Sequence, residues 1–269
     1  MVPDSAIAAA ERTEAARHLI DQAQTDFVDL TTVTGLELCV LGGPRHPLFE
    51  EAVARAWMEM ANRQRKKLIE WVTEGMVERG LLIENNSAAG SKRAGGTYSL
   101  KPELGIALAA RCRPAFIVIT DTTVDNLRTP RFFALGDQDE PVRAVVVEEP
   151  AALPPEIAGD FPHVKKFGPL GRFYRYVLVS QEKAAAALAE LTISPPSEPS
   201  GASGPSMWLV SLYRHDNGRN PLGYRLSIRS DGVKARVDGL GTGGSDPDAE
   251  YDADGLQTIM RDLITAGSR

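Results

Sequence analysis

The residues of this chain that could do chemistry fall in three places. The most suggestive is Gly239-Leu240-Gly241-Thr242-Gly243-Gly244, which fits G-x-G-x-x-G after an expected strand. A dinucleotide loop works because exposed amides and a helix N-terminus face a pyrophosphate. Here the loop runs into Asp246, Asp248, Glu250, Asp252 and Asp254, whose charge repels phosphate, and no later strand completes a βαβ unit. A connector is the better expectation. The acidic run also invites calcium: Glu250, Asp252 and Asp254 suit loop positions 1, 3 and 5 with Gly255 at 6, but Arg261 stands where position 12 needs glutamate. A helix start explains the same residues more simply, with Asp254 and Gln257 as a capping-box-like pair.

The second place is the histidines and cysteines. His18, His46, His163 and His215 show no metal-ligand spacing. Cys39 and Cys112 lie far apart, outside any C-x-x-C pair, and read as small buried hydrophobes in a reducing compartment. There is no G-x-S-x-G elbow and no P-loop. The expectation is a protein without catalytic, cofactor or metal residues, and not an enzyme.

The third place is cationic. Between Ala61 and Arg113 ten basic residues meet five acidic ones, about +5 in a chain whose net charge is −6. Arg63, Arg65, Lys66 and Lys67 sit in a helical stretch, and Lys92 and Arg93 at the tip of a hairpin. Helix, basic-tipped hairpin and second helix is the layout of a winged-helix DNA-binding module, in which these six residues would meet phosphates. Two features oppose it. A helix-turn-helix needs a break before its recognition helix, and none is visible between Phe49 and Glu74. The apolar face carrying Trp57 and Trp71 also reads as continuous across the cations. A solvated helix face accounts for them as well.

The elements that must position these residues follow from periodicity. A weakly amphipathic helix is expected from about Ser5 to Gln24, then a helix from about Leu30 to Leu41 with Asp29 as N-cap. A long helix runs from Leu48 to Arg79, with Val53, Trp57, Met60, Gln64, Leu68, Trp71 and Met76 on one face and Gly80 as its C′ residue. LLIENN and TYSL form the hairpin, and Pro102 opens the helix ELGIALAARC. AFIVIT, RAVVVEE and RFYRYVLVS read as strands, the last running into a helix capped by Ser180. A Ser/Pro/Gly linker spans Ser194 to Ser206. MWLVSLYR, YRLSIR and GVKARVD are further strands, and a helix from about Ala253 to Thr265 closes the chain.

The fold class is therefore α+β: a central, mostly antiparallel sheet flanked by helices, with a helical N-terminal part and a winged-helix-like hairpin. Strand-then-helix occurs twice, as quasi-two-fold halves would. The divisions are 1–28, 29–113, 114–193, the linker 194–206, and 207–269. At 269 residues, 43% apolar and 25% charged, the chain can bury a sizeable core. The N-terminus lacks the apolar run of a signal peptide, and no segment approaches ~20 apolar residues, so a cytoplasmic protein without membrane insertion is expected.

Four patches resemble the EspG family of type VII (ESX) secretion-associated proteins. These are LTTVTGLELCVLGG; VERGLL with SLKPELGIALAARCRPAFIVI; YVLVSQEKAAAALAELTIS before the Pro/Ser connector; and YRLSIRSDGVKARV with DADGLQTIMRDLI. The resemblance implies a cytosolic, ATP-independent chaperone that covers an apolar helical part of a secreted client of the PE–PPE kind. The Leu48–Arg79 helix and the helix before Asp29 depart from the pattern, and no binding residue is carried over. Such a chaperone needs exposed apolar surface. MWLVSLYR, apolar on both faces, is one candidate, with a core strand as the other reading. A homodimer is left open.

Overall fold

The computed structural model describes residues 4–42, 50–85, 97–122, 129–136, 142–152, 164–194, 206–214, 222–240 and 249–267. It is an α+β fold. Along the chain run α1 (Asp4–Gln22), β1 (Val28–Thr34), α2 (Gly35–Gly42), α3 (Glu51–Glu59), α4 (Asn62–Glu78), β2 (Leu82–Asn85), β3 (Thr97–Leu100) and α5 (Pro102–Cys112). There follow β4 (Phe116–Thr122), β5 (Arg131–Leu135), β6 (Ala144–Ala151), a 3₁₀ segment (Val164–Gly171), β7 (Phe173–Val179) and α6 (Gln181–Ile193). Strands β8 (Ser206–Arg214), β9 (Leu222–Ser230), β10 (Ala235–Leu240) and β11 (Glu250–Tyr251) precede α7 (Ala253–Gly267). Among the described residues nine strands make one sheet in the order β1-β7-β6-β5-β4-β8-β9-β10-β11, while β2 and β3 pair separately. From β6 through β5, β4, β8, β9 and β10 to β11 each pairing is antiparallel.

The chain divides into two compact units. One comprises residues 20–28, 113–149 and 177–269. Its core is one face of the sheet covered by α6 and α7, which pack on each other. YRLSIR alternates as a strand covered on one side does: Leu226 and Ile228 are buried, while Arg229 is exposed. β8 lies between β4 and β9 with Trp208, Val210 and Leu212 in the core, so MWLVSLYR is a core strand on that side, while Met207 on the other is 38% exposed. Helix α6 begins as expected, with Ser180 Oγ accepting from the Lys183 amide at 3.2 Å. We predict that Ser180→Ala lowers stability by about 1 kcal/mol, read as a shifted urea midpoint with unchanged slope. Helix α7 departs from expectation. Asp252 Oδ1, not Asp254, accepts from the Gly255 amide at 2.9 Å, and Gln257 reaches Glu182 instead of its own helix. Strands β5 and β11 were also unforeseen.

The other unit comprises residues 1–19, 29–112 and 150–176. Its core gathers Leu36 and Cys39 of α2, Val53 and Trp57 of α3, Val72 and Met76 of α4, Leu82 of β2, and Leu170. Two expectations fail here. Residues 28–34 are a strand, and the helix starts only at Gly35, because Thr34 and Glu37 form a capping box. The Thr34 amide and hydroxyl donate to Glu37 Oε2 at 2.6 and 3.0 Å, and the Glu37 amide donates to Thr34 Oγ1 at 3.1 Å. Asp29 caps nothing; it pairs with Arg175 at 2.9 Å. The long helix is also two helices. Met60 and Ala61 are extended (ψ 135° and 142°), so α3 stops and α4 starts afresh. The far end behaves as foreseen: Gly80 sits at φ 66°, where glycine alone is unstrained, and the Gly80 and Leu81 amides donate to the carbonyls of Val77 and Met76, a Schellman stop.

Candidate interaction surface

The break at Met60–Ala61 decides what α4 can present. It turns α3 and α4 into separate helices, which send Val53 and Trp57, and Val72 and Met76, to one core, and leaves the remaining faces of α4 to solvent. The cations singled out in the sequence occupy its first two turns. Arg63, Lys66 and Lys67 are exposed. Arg65 is not part of that face: it is half-buried and its Nη2 donates to Asn62 Oδ1 at 2.5 Å. Lys92 and Arg93 lie outside the described residues, although the hairpin that carries them is formed, with Leu82 opposite Leu100 and Asn85 opposite Thr97.

The apolar stripe expected to run unbroken through Trp57 and Trp71 is split. Trp57 is buried on α3, whereas Trp71 on α4 is 38% exposed, its ring 6.1 Å from that of Phe167 and tilted by 32°. Nothing in the residue types signals this, because the break shifts every later position around the helix axis. Met58, Ile69, Ile83 and Tyr98 are also exposed. Of the nine large apolar side chains exposed among the described residues, five therefore fall between Met58 and Tyr98. They do not share one face. Ile69 and Trp71, two residues apart on α4, project to nearly opposite sides, and Ile83 (opposite Ser99) and Tyr98 (opposite Glu84) lie on different faces of the hairpin, so this stretch carries several separate apolar spots.

The same unit holds a buried ion pair that sequence reading missed. Arg79, just after α4, places Nη1 2.5 Å from Glu37 Oε1 and Nη2 2.7 Å from the Thr32 carbonyl oxygen. The Glu37 side chain is 1% exposed and that of Arg79 15%. Burial pushes the Glu37 carboxyl above its ordinary range, and the Arg79 guanidinium with the two Thr34 donors pulls only partly against it. The pair ties the β1–α2 junction to the end of α4. The sequence signal for it was T-x-x-E at 34–37, a capping box in plain view.

The other candidate groups take structural roles. Cys39 is buried and its thiol is pushed up to about 12 by that burial, with Arg111 opposing, so it is no nucleophile. Cys112 is exposed, contrary to expectation. Glu250 of the acidic run is paired with Arg236 at 2.8 Å and Lys234 at 3.3 Å, and those hydrogen bonds, Arg236 first, hold its carboxyl below the usual range. Gly239 and Leu240 end strand β10, and 241–248 lie outside the described residues. Among the described residues no three His, Cys, Asp or Glu side chains group as metal ligands, and no helix is long and apolar enough to cross a membrane. No family model, curated protein or solved structure matches the chain.

Proposed function

We propose that this protein is a non-enzymatic, cytosolic protein-binding chaperone of the EspG kind, which covers an apolar helical part of a secreted client and keeps it from aggregating. The observation that carries the reading is the group of five large apolar side chains exposed between Met58 and Tyr98. They stand on packed helices and a paired hairpin, on more than one face, and a side chain held in this way loses little entropy when a partner covers it. Trp, Met and Tyr are also types enriched at protein interfaces. The test is co-expression of the chain with helical secreted proteins of the PE–PPE kind, followed by gel filtration. A complex of defined stoichiometry is expected, and Ile69→Ser combined with Ile83→Ser should weaken it by at least about tenfold, an apolar loss of a kcal/mol or more. Absence of any such complex, with the client precipitating alone and together, would rule the reading out.

A second reading has its own observation. The break at Met60–Ala61 supplies the turn that a helix-turn-helix needs, with Arg63, Lys66 and Lys67 exposed at the start of the following helix and a hairpin after it. It ranks second because the same helix carries Glu70, Glu74 and Glu78, which repel phosphates along its second half. Under this reading, affinity for duplex DNA falls steeply with salt and Lys66→Ala with Lys67→Ala flattens that dependence. Under the chaperone reading there is no such retention.

A further inference from the structure

The charges of α4 are arranged against the interests of an isolated helix. Positions 63, 67, 70, 74 and 78 recur at steps of three and four, so they share one face, and all five side chains are exposed. Arg63 and Lys67 come first and Glu70, Glu74 and Glu78 last. Cations stand at the positive end of the helix dipole and anions at the negative end, the reverse of the stabilising order. Like charges also follow each other at i, i+4 in the pairs 63/67, 70/74 and 74/78, which is again unfavourable. None of the five makes an ion pair among the described residues. Packing within the chain therefore does not account for the order.

A second copy of the same helix does. We infer that α4 is the contact of a homodimer in which two α4 helices cross a two-fold axis antiparallel. The order of signs is self-complementary in that arrangement, as an isologous interface requires. Setting Arg63 opposite Glu78 of the second copy brings Lys67 opposite its Glu74, and each of these pairs then occurs twice. Glu70 and Trp71 fall at the axis, where the two Glu70 carboxylates lie side by side and offset part of the gain from the four opposite-charge pairs, while the exposed, Phe167-backed Trp71 ring supplies apolar area at the centre of the contact. Gly75 follows Trp71 by one turn, and a Cβ added there would meet nothing within 4 Å. A partner helix can approach closely at that point, and the chain's own packing does not use the space. Parallel pairing would oppose cation to cation and anion to anion, so the pattern also excludes that orientation. This inference rests on charge order and not on the client reading, but the two share Trp71, so dimer and client would compete for that side chain.

A contact made by one helix about 25 Å long is small, so the dimer is expected in the micromolar range and salt-sensitive. Sedimentation velocity of the full chain at low salt should show concentration-dependent dimerisation, weakened at least about tenfold between about 50 and 500 mM NaCl. Arg63→Glu with Lys67→Glu makes the face wholly acidic, and Glu74→Lys with Glu78→Lys makes it mainly basic. Each variant alone should be monomeric, and mixing the two should restore a heterodimer. Both changes follow the helix dipole, so thermal midpoints should hold or rise, which separates lost association from lost folding. A wild type that stays monomeric at high micromolar concentration, or folded variants that fail to pair when mixed, overturns the inference. So does a variant that dimerises alone.

Discussion

Arg79→Met will destabilise the protein by about 3–5 kcal/mol near neutral pH, because it removes one partner of a buried ion pair and leaves the other charge behind. Glu37 is the charge left behind, with a side chain 1% exposed. Its two Thr34 donors remain, but the guanidinium that offsets desolvation is gone. The pH dependence follows from the direction of the shift. The Glu37 carboxyl is already raised by burial in the folded state, and without Arg79 it rises further. A carboxyl raised on folding contributes stability that is complete below the ordinary glutamate range and is lost as pH climbs through the folded value. The cost of Arg79→Met should therefore be smallest in acid and grow towards neutral and alkaline pH. Adding Glu37→Gln to Arg79→Met removes the stranded charge and should recover a large part of the loss at pH 8 and little at pH 4. Urea unfolding followed by tryptophan fluorescence at several pH values measures this. A cost independent of pH would show that Glu37 is not the group responsible.

The second large effect is expected in the other unit. Trp208→Ala should cost about 3–5 kcal/mol, the range for deleting a large buried aromatic side chain. Trp208 is 1% exposed on β8, with Ile228 of β9 on one side and Thr122 of β4 on the other. Strands on both flanks and the helix layer above leave the surroundings little freedom to collapse into the gap. Trp208→Phe should cost under about 1.5 kcal/mol, since it keeps most of the volume and removes an indole N–H that meets no acceptor among the described residues. If Trp208→Ala cost no more than Trp208→Phe, the strand would have to be less tightly packed than its burial indicates.

Most of the sheet was legible because half-covered strands announce themselves. In YRLSIR the alternation of Leu226 and Ile228 with Ser227 and Arg229 reports the covered face directly, and Ser180 before an alanine-rich run reports a capped helix. The errors have identifiable causes. Thr31, Thr32 and Val33 are β-branched and favour a strand, a preference outweighed in reading by the apolar periodicity of the helix that follows. The cap on α7 slid by two residues because Asp252 and Asp254 are chemically alike, and only backbone geometry separates them. The candidate surface was half legible. The cations were plain, but which of them face outward was not, and Arg65 turns in.

Local chemistry in the sequence determined the cap at Ser180, the covered face of YRLSIR and how charge is ordered along α4. The stop at Gly80 belongs to the same class, since a positive φ and two amide bonds to the preceding turn are properties of the segment itself. Tertiary structure alone decided the break at Met60–Ala61. Both residues suit a helix, and neither glycine nor proline warns of a stop. A continuous helix over residues 51–78 would run about 42 Å. Val53 and Trp57 could not then share one small core with Val72 and Met76, as they do. Giving up a few helical hydrogen bonds at the break lets both segments bury their apolar sides, and that gain is visible only once the chain has folded back on itself.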